Sequence, residues 1–307
     1  MILLTNNEGT LGVPTTARLL TQGHAALDAI EAGIRPIEAD PTVRTVGRGG
    51  WPNLLCELEL DACLMDGTTL RTGAVGALKG YLHPVSVARE IMRRLPHELL
   101  VGEGAARFAQ EIGATPAENL IEDSRRVWRD WFDRTLTPAQ KQAWPNIPLA
   151  ELCRHAIDPE KGRDTTVFLA QDKTGAVGSG TSTSGWGWKY PGRLGDSPIV
   201  GAGSYADTRF GAAACTGAGE MTIRCCTARS IVLYMKKGAS VGEAVLEAVD
   251  DMRALKTGLI SRVTIHAIDT RGNHKTVAVN GDGTNVYWLW EGAGDPRRCP
   301  AEAIPLR

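Results

Sequence analysis

The apolar and polar positions of the chain form two regions of mixed helix and strand pattern, separated by an irregular connector. The first region opens with an apolar run at Ile2–Thr5, which predicts a short buried strand. Apolar residues three and four positions apart then predict two short helices. The second should end near Pro36, because proline cannot donate a backbone hydrogen bond. The other elements predicted in this region are strands at 58–65 and 68–75 around a turn at Asp66-Gly67, and helices at 85–95 and 105–112.

The second region begins at Thr165, and its pattern is strongly β. Ser240 and Glu243 form a capping-box pattern that predicts the start of one of its helices. Pairs of strands flanked by pairs of helices predict two stacked sheets covered by helices, an α+β fold. The length of 307 residues allows either one large domain or two small ones. The elements predicted here are strands at 165–171 and 176–183, helices at 220–237 and 240–255, and strands at 262–269, 275–280 and 285–290.

The connector at residues 121–163 differs in composition from both regions. It contains Trp128, Trp131 and Trp144 together with four prolines and many charges, and it shows little sustained period. This composition predicts a partly helical segment with a loose end next to Thr165.

Composition and charge narrow the classes of function. A hydrophobic content of 43% and a charged content of 22% are ordinary for a soluble globular protein. The net charge of -1 gives no electrostatic reason to expect nucleic acid or an anionic membrane as a partner. No run approaches the ~18–20 apolar residues of a membrane span, and the first residues lack the pattern of a secretory signal. We therefore expect a soluble, cytoplasmic protein.

The cysteines and the common motifs exclude several alternatives. The seven cysteines include no C-x-x-C pair, so reduced thiols are expected rather than a disulfide framework. No spacing of cysteine and histidine suggests zinc, and neither a metal nor a cofactor is predicted. The G-x-S-x-G elbow, the phosphate-binding G-x-x-x-x-G-K-[ST] loop and a complete dinucleotide fingerprint are all missing from the sequence.

The candidate chemistry lies between Gly162 and Glu220, a stretch with several threonines and no histidine. Thr165 follows Asp164 at the start of a predicted strand. Inside a chain its nitrogen is an amide and cannot accept a proton. As a free N-terminus the same nitrogen would be an amine with a pKa of about 7.7–8, able to activate the residue's own hydroxyl. The alternative is that Thr165 is an ordinary β-branched strand residue.

A loop rich in glycine and proline carries two opposite charges, Arg193 and Asp196. Arginine grips a carboxylate through two parallel hydrogen bonds, and aspartate pairs with an ammonium, so the two residues suit an amino-acid substrate. The alternative is a salt bridge between them. Nearby, Trp186 and Trp188 would form either a platform at a pocket mouth or a cover for the loop.

Two further groups in this stretch have candidate roles. Thr181 and Thr183 share one face of a strand, where one of them could hydrogen-bond a nucleophile; the alternative is a polar strand end. Thr216 and Gly217 lead into a predicted helix, whose first backbone N–H groups suit an oxyanion. The alternative there is a tight turn between a strand and a helix.

Taken together, these residues closely resemble the threonine N-terminal-nucleophile (Ntn) hydrolases of the glycosylasparaginase and isoaspartyl peptidase/plant-type L-asparaginase family, and glycosylasparaginase in particular. The resemblance spans nearly the whole chain. Its motifs are Asp-Thr (164–165), Gly-Thr-Ser-Thr-Ser-Gly (180–185), Pro-Gly-Arg-Leu-Gly-Asp-Ser-Pro (191–198), Gly-Ala-Gly (201–203), Thr-Gly-Ala-Gly (216–219), and, before the connector, Gly-His-Ala-Ala-Leu-Asp-Ala-Ile-Glu (23–31), Val-Gly-Arg-Gly-Gly (46–50), Leu-Met-Asp-Gly (64–67) and Leu-Leu-Val-Gly-Glu-Gly-Ala (99–105).

The resemblance implies a single domain over residues 1–307 with a four-layer αββα sandwich, and self-cleavage between Asp164 and Thr165 that gives fragments of 164 and 143 residues. It also implies dimers of such αβ units. The matching positions cast Thr165 as nucleophile and Thr183 as its hydroxyl partner. Arg193 would bind the substrate carboxylate, Asp196 would bind its amine, and Thr216 with Gly217 would form the oxyanion site.

The implied substrate is the side-chain amide of an asparagine derivative, with N4-(β-N-acetylglucosaminyl)-L-asparagine as the first choice. Two positions depart from the family pattern. Arg163 replaces the histidine that often precedes Asp-Thr, and Thr5-Asn6-Asn7-Glu8 has no aromatic residue where glycosylasparaginases carry a tryptophan. Isoaspartyl dipeptides and free asparagine therefore stay open as substrates. An uncleaved, non-catalytic protein that binds amino acids is the alternative of another class.

Overall fold

The computed structural model describes residues 1–156 and 165–307, which contain thirteen β-strands and ten α-helices. The strands are β1 (Ile2–Asn6), β2 (Leu60–Asp66), β3 (Thr72–Leu78), β4 (Leu99–Val101), β5 (Thr166–Gln171), β6 (Val177–Thr183), β7 (Ser204–Asp207), β8 (Gly211–Gly217), β9 (Val263–Asp269), β10 (His274–Val279), β11 (Val286–Trp290), β12 (Arg297–Pro300) and β13 (Glu302–Ile304). The helices are α1 (Val13–Gln22), α2 (Ala26–Ala39), α3 (Pro84–Arg94), α4 (Gly102–Glu111), α5 (Glu122–Thr135), α6 (Pro138–Ala143), α7 (Leu149–Ala156), α8 (Gly219–Cys225), α9 (Thr227–Lys236) and α10 (Val241–Arg253).

The strands of the described residues form two sheets. The larger sheet has eight strands in the order β12-β11-β1-β5-β6-β2-β3-β4, and the smaller has five in the order β13-β10-β9-β8-β7. β1 lies between β11 and β5 and is antiparallel to both. The first strand of the chain is therefore held between two strands that come after the connector.

The two sheets pack face to face, and helices cover both outer faces. Between the sheets, Leu169 of β5 and Ala212 of β8 belong to one buried cluster. On the outer side of the large sheet, Ile34 of α2 packs with Phe168, and on the outer side of the small sheet Val245 of α10 packs within a separate cluster. The fold is a four-layer αββα sandwich, as the resemblance implied.

α2 does not end at Pro36 as predicted but continues to Ala39. Proline removes one backbone hydrogen bond from the helix. Ile37 and Glu38, which follow it, are fully buried, so the last turn is held by packing against the core.

The single helix predicted at 220–237 is two helices, α8 and α9. Cys226 between them has a left-handed backbone, with φ 47° and ψ 46°. The N–H groups of Ala228 and Arg229 donate to the carbonyls of Ala202 and Gly201 rather than to the preceding turn. Tertiary hydrogen bonds thus replace the continuous helix, although the spacing of apolar residues runs on through the break.

The predicted turn at Asp66-Gly67 is also different. β2 ends at Asp66 but β3 starts only at Thr72, so five residues connect the two strands. The N–H of Gly67 donates to the carbonyl of Val177 in β6, so the chain does not reverse direction at Asp66-Gly67. The strands β4, β7, β8, β12 and β13 were not predicted, because they are short or rich in alanine and glycine.

The connector contains α5, α6 and α7. Its aromatic side chains meet in one cluster, in which Trp128 stacks on Phe132 and Trp131 lies 6.1 Å from Trp188 between ring centroids. Trp188 belongs to the loop after β6, so the connector packs directly on that loop. No helix in the described ranges combines the length and apolar composition that crossing a bilayer requires.

Candidate active site

Thr165 and Thr183 lie at the same end of two neighbouring strands. β5 and β6 are antiparallel, and their register pairs Thr166 with Ser182, which places Thr165 across from Thr183. The two threonines are buried, with 6% and 4% of their surfaces exposed. Both line one narrow cleft together with Gly217. Strand pairing therefore brings together residues that are eighteen positions apart in the sequence.

The backbone around Thr165 is held by an amide side chain from β1. Asn6 Nδ2 donates to the carbonyl oxygen of Thr165 at 2.5 Å, and Asn6 Oδ1 accepts from the N–H of Val167 at 3.1 Å. Asn6 is itself buried. This pair of hydrogen bonds extends the β1–β5 ladder to Thr165 and fixes the residue's orientation.

The hydroxyl of Thr165 lies 3.1 Å from the hydroxyl of Ser197. The hydroxyl of Thr181 in turn donates to the carbonyl of Ser197 at 2.8 Å, which fixes the position of that serine. Thr183, the predicted partner of Thr165, uses its hydroxyl to accept from the N–H of Gly185 at 2.9 Å. Thr183 therefore shapes the loop after β6, and Ser197 is the hydroxyl that contacts the candidate nucleophile.

Arg193 is bound to a carboxylate of α8. Its Nε and Nη2 atoms donate to the two oxygens of Glu220 at 2.9–3.0 Å. Its guanidinium also lies over the ring of Trp186, 4.2 Å from the centroid. Arginine stacked on an aromatic face and paired with a carboxylate is well ordered, so Trp186 and Glu220 hold the guanidinium at the edge of the cleft.

Asp196 is almost fully buried and accepts a hydrogen bond from the hydroxyl of Thr222 at 2.7 Å. Burial raises the pKa of Asp196 from 3.8 to about 6, and the Thr222 hydrogen bond and the charge of Arg193 oppose that rise. Gly219 leaves room for this carboxylate, since a Cβ there would lie 2.8 Å from Asp196 Oδ1. A buried carboxylate with a raised pKa favours a cationic partner, such as a substrate ammonium group.

The proposed oxyanion residues are divided between two neighbouring clefts. Gly217 has a φ of 105°, a conformation that favours glycine, and it lines the cleft of Thr165. Thr216, one residue earlier on β8, is buried and lines a second cleft together with Asn6 and Glu8. Of the two residues, Gly217 is therefore the one that shares the cleft of Thr165.

A family model described as Asparaginase matches residues 12–288. The chain belongs to the asparaginase family. It is 36% identical over 250 residues to an N(4)-(β-N-acetylglucosaminyl)-L-asparaginase of Elizabethkingia miricola, a match that covers 81% of this chain and 68% of the relative. It is 39% identical to the mouse protein of the same name, over 71% of this chain and 67% of the relative. An isoaspartyl peptidase of Salmonella typhimurium is 37% identical, over 92% of this chain and 86% of the relative.

Family membership makes the chain an amidohydrolase, and its relatives include both glycosylasparaginases and isoaspartyl peptidases. In this asparaginase-family chain the Thr165 cleft brings together Thr165, Thr183, Arg193, Asp196 and Gly217. Of the other positions named from the sequence, Thr216 lines the neighbouring cleft, and Asp164 lies outside the described residues.

The alternatives for the charged loop are also resolved. Arg193 pairs with Glu220 and Asp196 with Thr222, so the two residues do not form a salt bridge with each other. Trp186 lines the cleft, whereas Trp188 stacks on Trp51 at 5.8 Å between centroids and covers the loop.

A buried ion pair fixes the backbone next to Arg193. Lys189 and Glu59 are buried, and the lysine nitrogen lies 3.7 Å from Glu59 Oε2. Both oxygens of Glu59 accept from the N–H of Gly192, at 3.0 and 3.2 Å. Because Gly192 directly precedes Arg193, this contact sets where the arginine leaves the backbone.

Sequence reasoning missed Asn6, Ser197, Glu220 and Thr222 as members of the site. Ser197 and Glu220 stand beside residues with predicted roles, but nothing in the local pattern shows which way their side chains point. Asn6 belongs to a segment whose sequence is notable only for lacking an aromatic residue. Thr222 is one turn along a helix from Gly219, and its contact with Asp196 joins two distant parts of the chain.

Proposed function

We propose that the chain is an autoproteolytically activated amidohydrolase that cleaves the side-chain amide of asparagine derivatives through a β-aspartyl ester on Thr165. One observation carries the proposal: the hydroxyl of Thr165 lies in the same cleft as Arg193 and Asp196. A hydroxyl nucleophile beside one cation and one anion matches an amino acid whose side-chain carbonyl is presented for attack.

The activating step is cleavage of the bond between Asp164 and Thr165. The Thr165 oxygen attacks the carbonyl carbon of Asp164, and the C–N bond breaks as the acyl group moves from nitrogen to oxygen. The departing nitrogen takes the hydroxyl proton, directly or through water. Water then hydrolyses the ester, which leaves a carboxylate on Asp164 and a free amine on Thr165.

The same hydroxyl then acts on the substrate. The Thr165 amine accepts the hydroxyl proton as the oxygen attacks the amide carbon, and it returns a proton to the departing nitrogen. Water hydrolyses the resulting ester to aspartate. Ser197, whose hydroxyl lies 3.1 Å from that of Thr165, orients the nucleophile, and Thr183 holds the adjoining loop through Gly185. Thr216 and Gly217 stabilise the negative charge on the carbonyl oxygen. Each donor to such an oxyanion is typically worth about 10²–10³ in kcat. No step uses a metal or a cofactor.

Substrate recognition falls to the charged loop. Arg193 binds the α-carboxylate through the guanidinium that now grips Glu220, and Asp196 binds the α-ammonium. Because Asp196 is buried, a substrate ammonium replaces the solvation that its carboxylate lacks. The expected partner is a small amino-acid amide, and not a nucleic acid or a membrane.

Two leaving groups are compatible with this half of the site. We propose N4-(β-N-acetylglucosaminyl)-L-asparagine as the substrate, in line with the Elizabethkingia and mouse relatives. The second candidate is isoaspartyl peptidase/L-asparaginase activity. It is supported by the match to the Salmonella isoaspartyl peptidase, which covers 92% of this chain. Comparing kcat/KM for the glycosylated amino acid, a β-aspartyl dipeptide and L-asparagine tests the order. Slow turnover of the glycosylated amino acid beside rapid turnover of the β-aspartyl dipeptide would make isoaspartyl peptidase activity the first choice.

The alternative of another class is an uncleaved protein that only binds amino acids. A denaturing gel combined with N-terminal sequencing separates the two. The enzyme should give two fragments, one of which begins Thr-Thr-Val-Phe; a permanently intact chain without amidase activity would contradict the proposal. We also propose a cytoplasmic homodimer of cleaved units, which sedimentation would report as twice the mass of one chain.

A further inference from the structure

A second, larger cleft lies at the end of β1, next to the cleft of Thr165. It has a volume of about 190 Å³. Its walls come from the residues after β1, the turn before β11 and the edge strand β12. Among its lining residues are Asn7, Glu8, Thr284, Asn285 and Arg298.

One hydrogen bond and one pair of consecutive residues connect this polar cleft to the cleft of the candidate nucleophile. Asn6 lines it and donates to the carbonyl of Thr165 at 2.5 Å. Thr216 lines it as well, while its neighbour Gly217 lines the cleft of Thr165. The two spaces are therefore linked through the Asn6–Thr165 hydrogen bond and through the consecutive residues Thr216 and Gly217.

The two spaces differ greatly in size. The cleft that holds Arg193 and Asp196 has a free volume of only about 10 Å³, against about 190 Å³ for the polar cleft. The smaller cleft has its charges placed for the amino-acid half of a substrate. A bulky group on the other side of the scissile amide needs the room of the polar cleft.

The chemistry of the polar cleft suits an uncharged ligand with many hydroxyl groups. Its walls carry amides and hydroxyls, together with one cation, Arg298, and one anion, Glu8. Arg298 Nη2 donates to Asn7 Oδ1 at 3.0 Å, so the arginine is held in place by a neutral group. Asn285 Oδ1 is buried and accepts no hydrogen bond from the described residues, which leaves an acceptor for a ligand donor.

We infer that the polar cleft is the leaving-group subsite, that it takes the sugar of an N-acetylglucosaminyl-type leaving group, and that Arg298 is one of its specificity-determining residues. This inference rests on the proposed function. Asn7, Glu8 and Arg298 lie outside residues 12–288, which the family model matches.

The test compares two substrates that share the aspartyl half. L-Asparagine releases ammonia and places nothing in the polar cleft, whereas N4-(β-N-acetylglucosaminyl)-L-asparagine must fill it. Arg298→Ala should lower the ratio of kcat/KM for the glycosylated substrate to kcat/KM for L-asparagine by about ten- to a hundredfold, the effect of one charge-assisted hydrogen bond. The loss should appear mainly in KM.

Arg297→Ala is the matched control. Arg297 is the adjacent residue of β12, is exposed and pairs with Glu291 outside the cleft. It should keep the wild-type ratio. Since Arg298 is exposed on an edge strand, its variant should fold, and a gel showing both fragments confirms this.

Three results would overturn the inference. The first is an unchanged ratio in both Arg298→Ala and Thr284→Ala. The second is a wild-type protein that hydrolyses L-asparagine but not the glycosylated substrate. The third is a loss confined to a β-aspartyl dipeptide, which would assign Arg298 to a carboxylate instead. All three leave the proposed Thr165 chemistry standing, whereas hydrolysis of L-asparagine that survives in Thr165→Ala would remove the proposed function itself.

Discussion

The two sides of the Thr165 cleft are held in place by different kinds of contact. On the nucleophile side, Thr165 and Thr183 end neighbouring strands, so the backbone ladder fixes their positions. On the amino-acid side, Arg193 and Asp196 belong to the loop between β6 and β7 and are fixed by side chains of α8.

This difference teaches where the site is robust and where it is sensitive. A strand end keeps its place when a side chain changes, because the ladder hydrogen bonds belong to the backbone. A charged side chain in a loop depends on its partners and on its protonation. Substitutions on the nucleophile side should therefore remove chemistry without disturbing the fold, while those on the amino-acid side should change affinity, pH dependence and stability together.

Replacing Thr165 by Ala should give the largest effect. Because the variant has no hydroxyl to attack with and keeps its backbone ladder, we expect one uncut chain of 307 residues and a fall in activity on the order of 10⁶-fold. A denaturing gel and an amidase assay measure the two outcomes. Thr165→Ser, which retains the hydroxyl, should still be cut and active. Fragments of 164 and 143 residues from the alanine variant would contradict the mechanism.

Asp196→Asn should weaken function and strengthen the fold. Loss of the charge that meets the substrate ammonium should lower kcat/KM by about 10²–10³-fold, equivalent to roughly 3–4 kcal/mol. Because burial raises the pKa of Asp196 from 3.8 to about 6, ionising it in the folded protein costs about 3 kcal/mol at neutral pH. The variant should therefore gain about 1–3 kcal/mol in free energy of unfolding at pH 7.

The sign of the pH effect gives a control for Asp196→Asn. The folded-state pKa lies above the unfolded value, so the destabilisation appears as pH rises from about 4 to about 6 and persists above that range. Denaturant unfolding should show the gain at pH 7 and little of it at pH 4. The Asp196→Asn variant and the reference protein with Asp196 should both carry Thr165→Ala, which keeps the chain in one piece. A gain of equal size at both pH values would show that the charge is not its cause.

Arg193→Lys should mainly raise KM. Lysine cannot make the paired contact of a guanidinium, so we expect KM to rise about ten- to a hundredfold with a much smaller change in kcat. Steady-state kinetics on L-asparagine measures both. Arg209→Lys is a matched control, because Arg209 grips Asp207 in the same bidentate way but lies on the surface. An unchanged kcat/KM in Arg193→Lys would remove this residue from the site.

Thr222→Val should give the smallest effect, visible as a shift in pH dependence. The Thr222 hydrogen bond lowers the pKa of Asp196, so its loss should move that pKa above about 6. Since the ionised form binds the substrate ammonium, kcat/KM should fall a few-fold at pH 7 and recover at pH 8. Thr227→Val, a buried threonine of α9, should leave the profile unchanged. An unchanged pH profile of kcat/KM in Thr222→Val would show that the Thr222 hydroxyl does not influence the role of Asp196 in substrate binding.

The strands next to Thr165 and Thr183 and much of the fold could be predicted from the sequence, because their patterns are local. The contacts of Thr165 with Asn6 and Ser197 could not. The strand-forming residues of β5 and β6 and the Ser240/Glu243 capping box, which the structure confirms, are short-range patterns. The partners of the charged loop could not be predicted in the same way. Arg193 meets Glu220 across 27 positions, and Asp196 meets Thr222 across 26, through contacts that exist only after the sheets and helices have packed.

Some local patterns were also overridden. The helical spacing of apolar residues continues past Cys226 without a break. The helix nevertheless ends there, because N–H groups at the start of α9 donate to backbone carbonyls of residues 201–202. Pro36 is a strong signal for a helix end, yet α2 continues because the residues after it are buried. In both cases a tertiary contact outweighs a local preference.

The strand order has a consequence for how the enzyme would recover from denaturation. A cut before Thr165 leaves β1 on one polypeptide, clamped between β11 and β5 of the other, with β2, β3 and β4 on the far side of β6. The two polypeptides would be interleaved within one sheet. Unfolding would release two separate molecules, and renaturation would become a second-order process whose yield depends on protein concentration. The uncut precursor would refold at a rate independent of dilution.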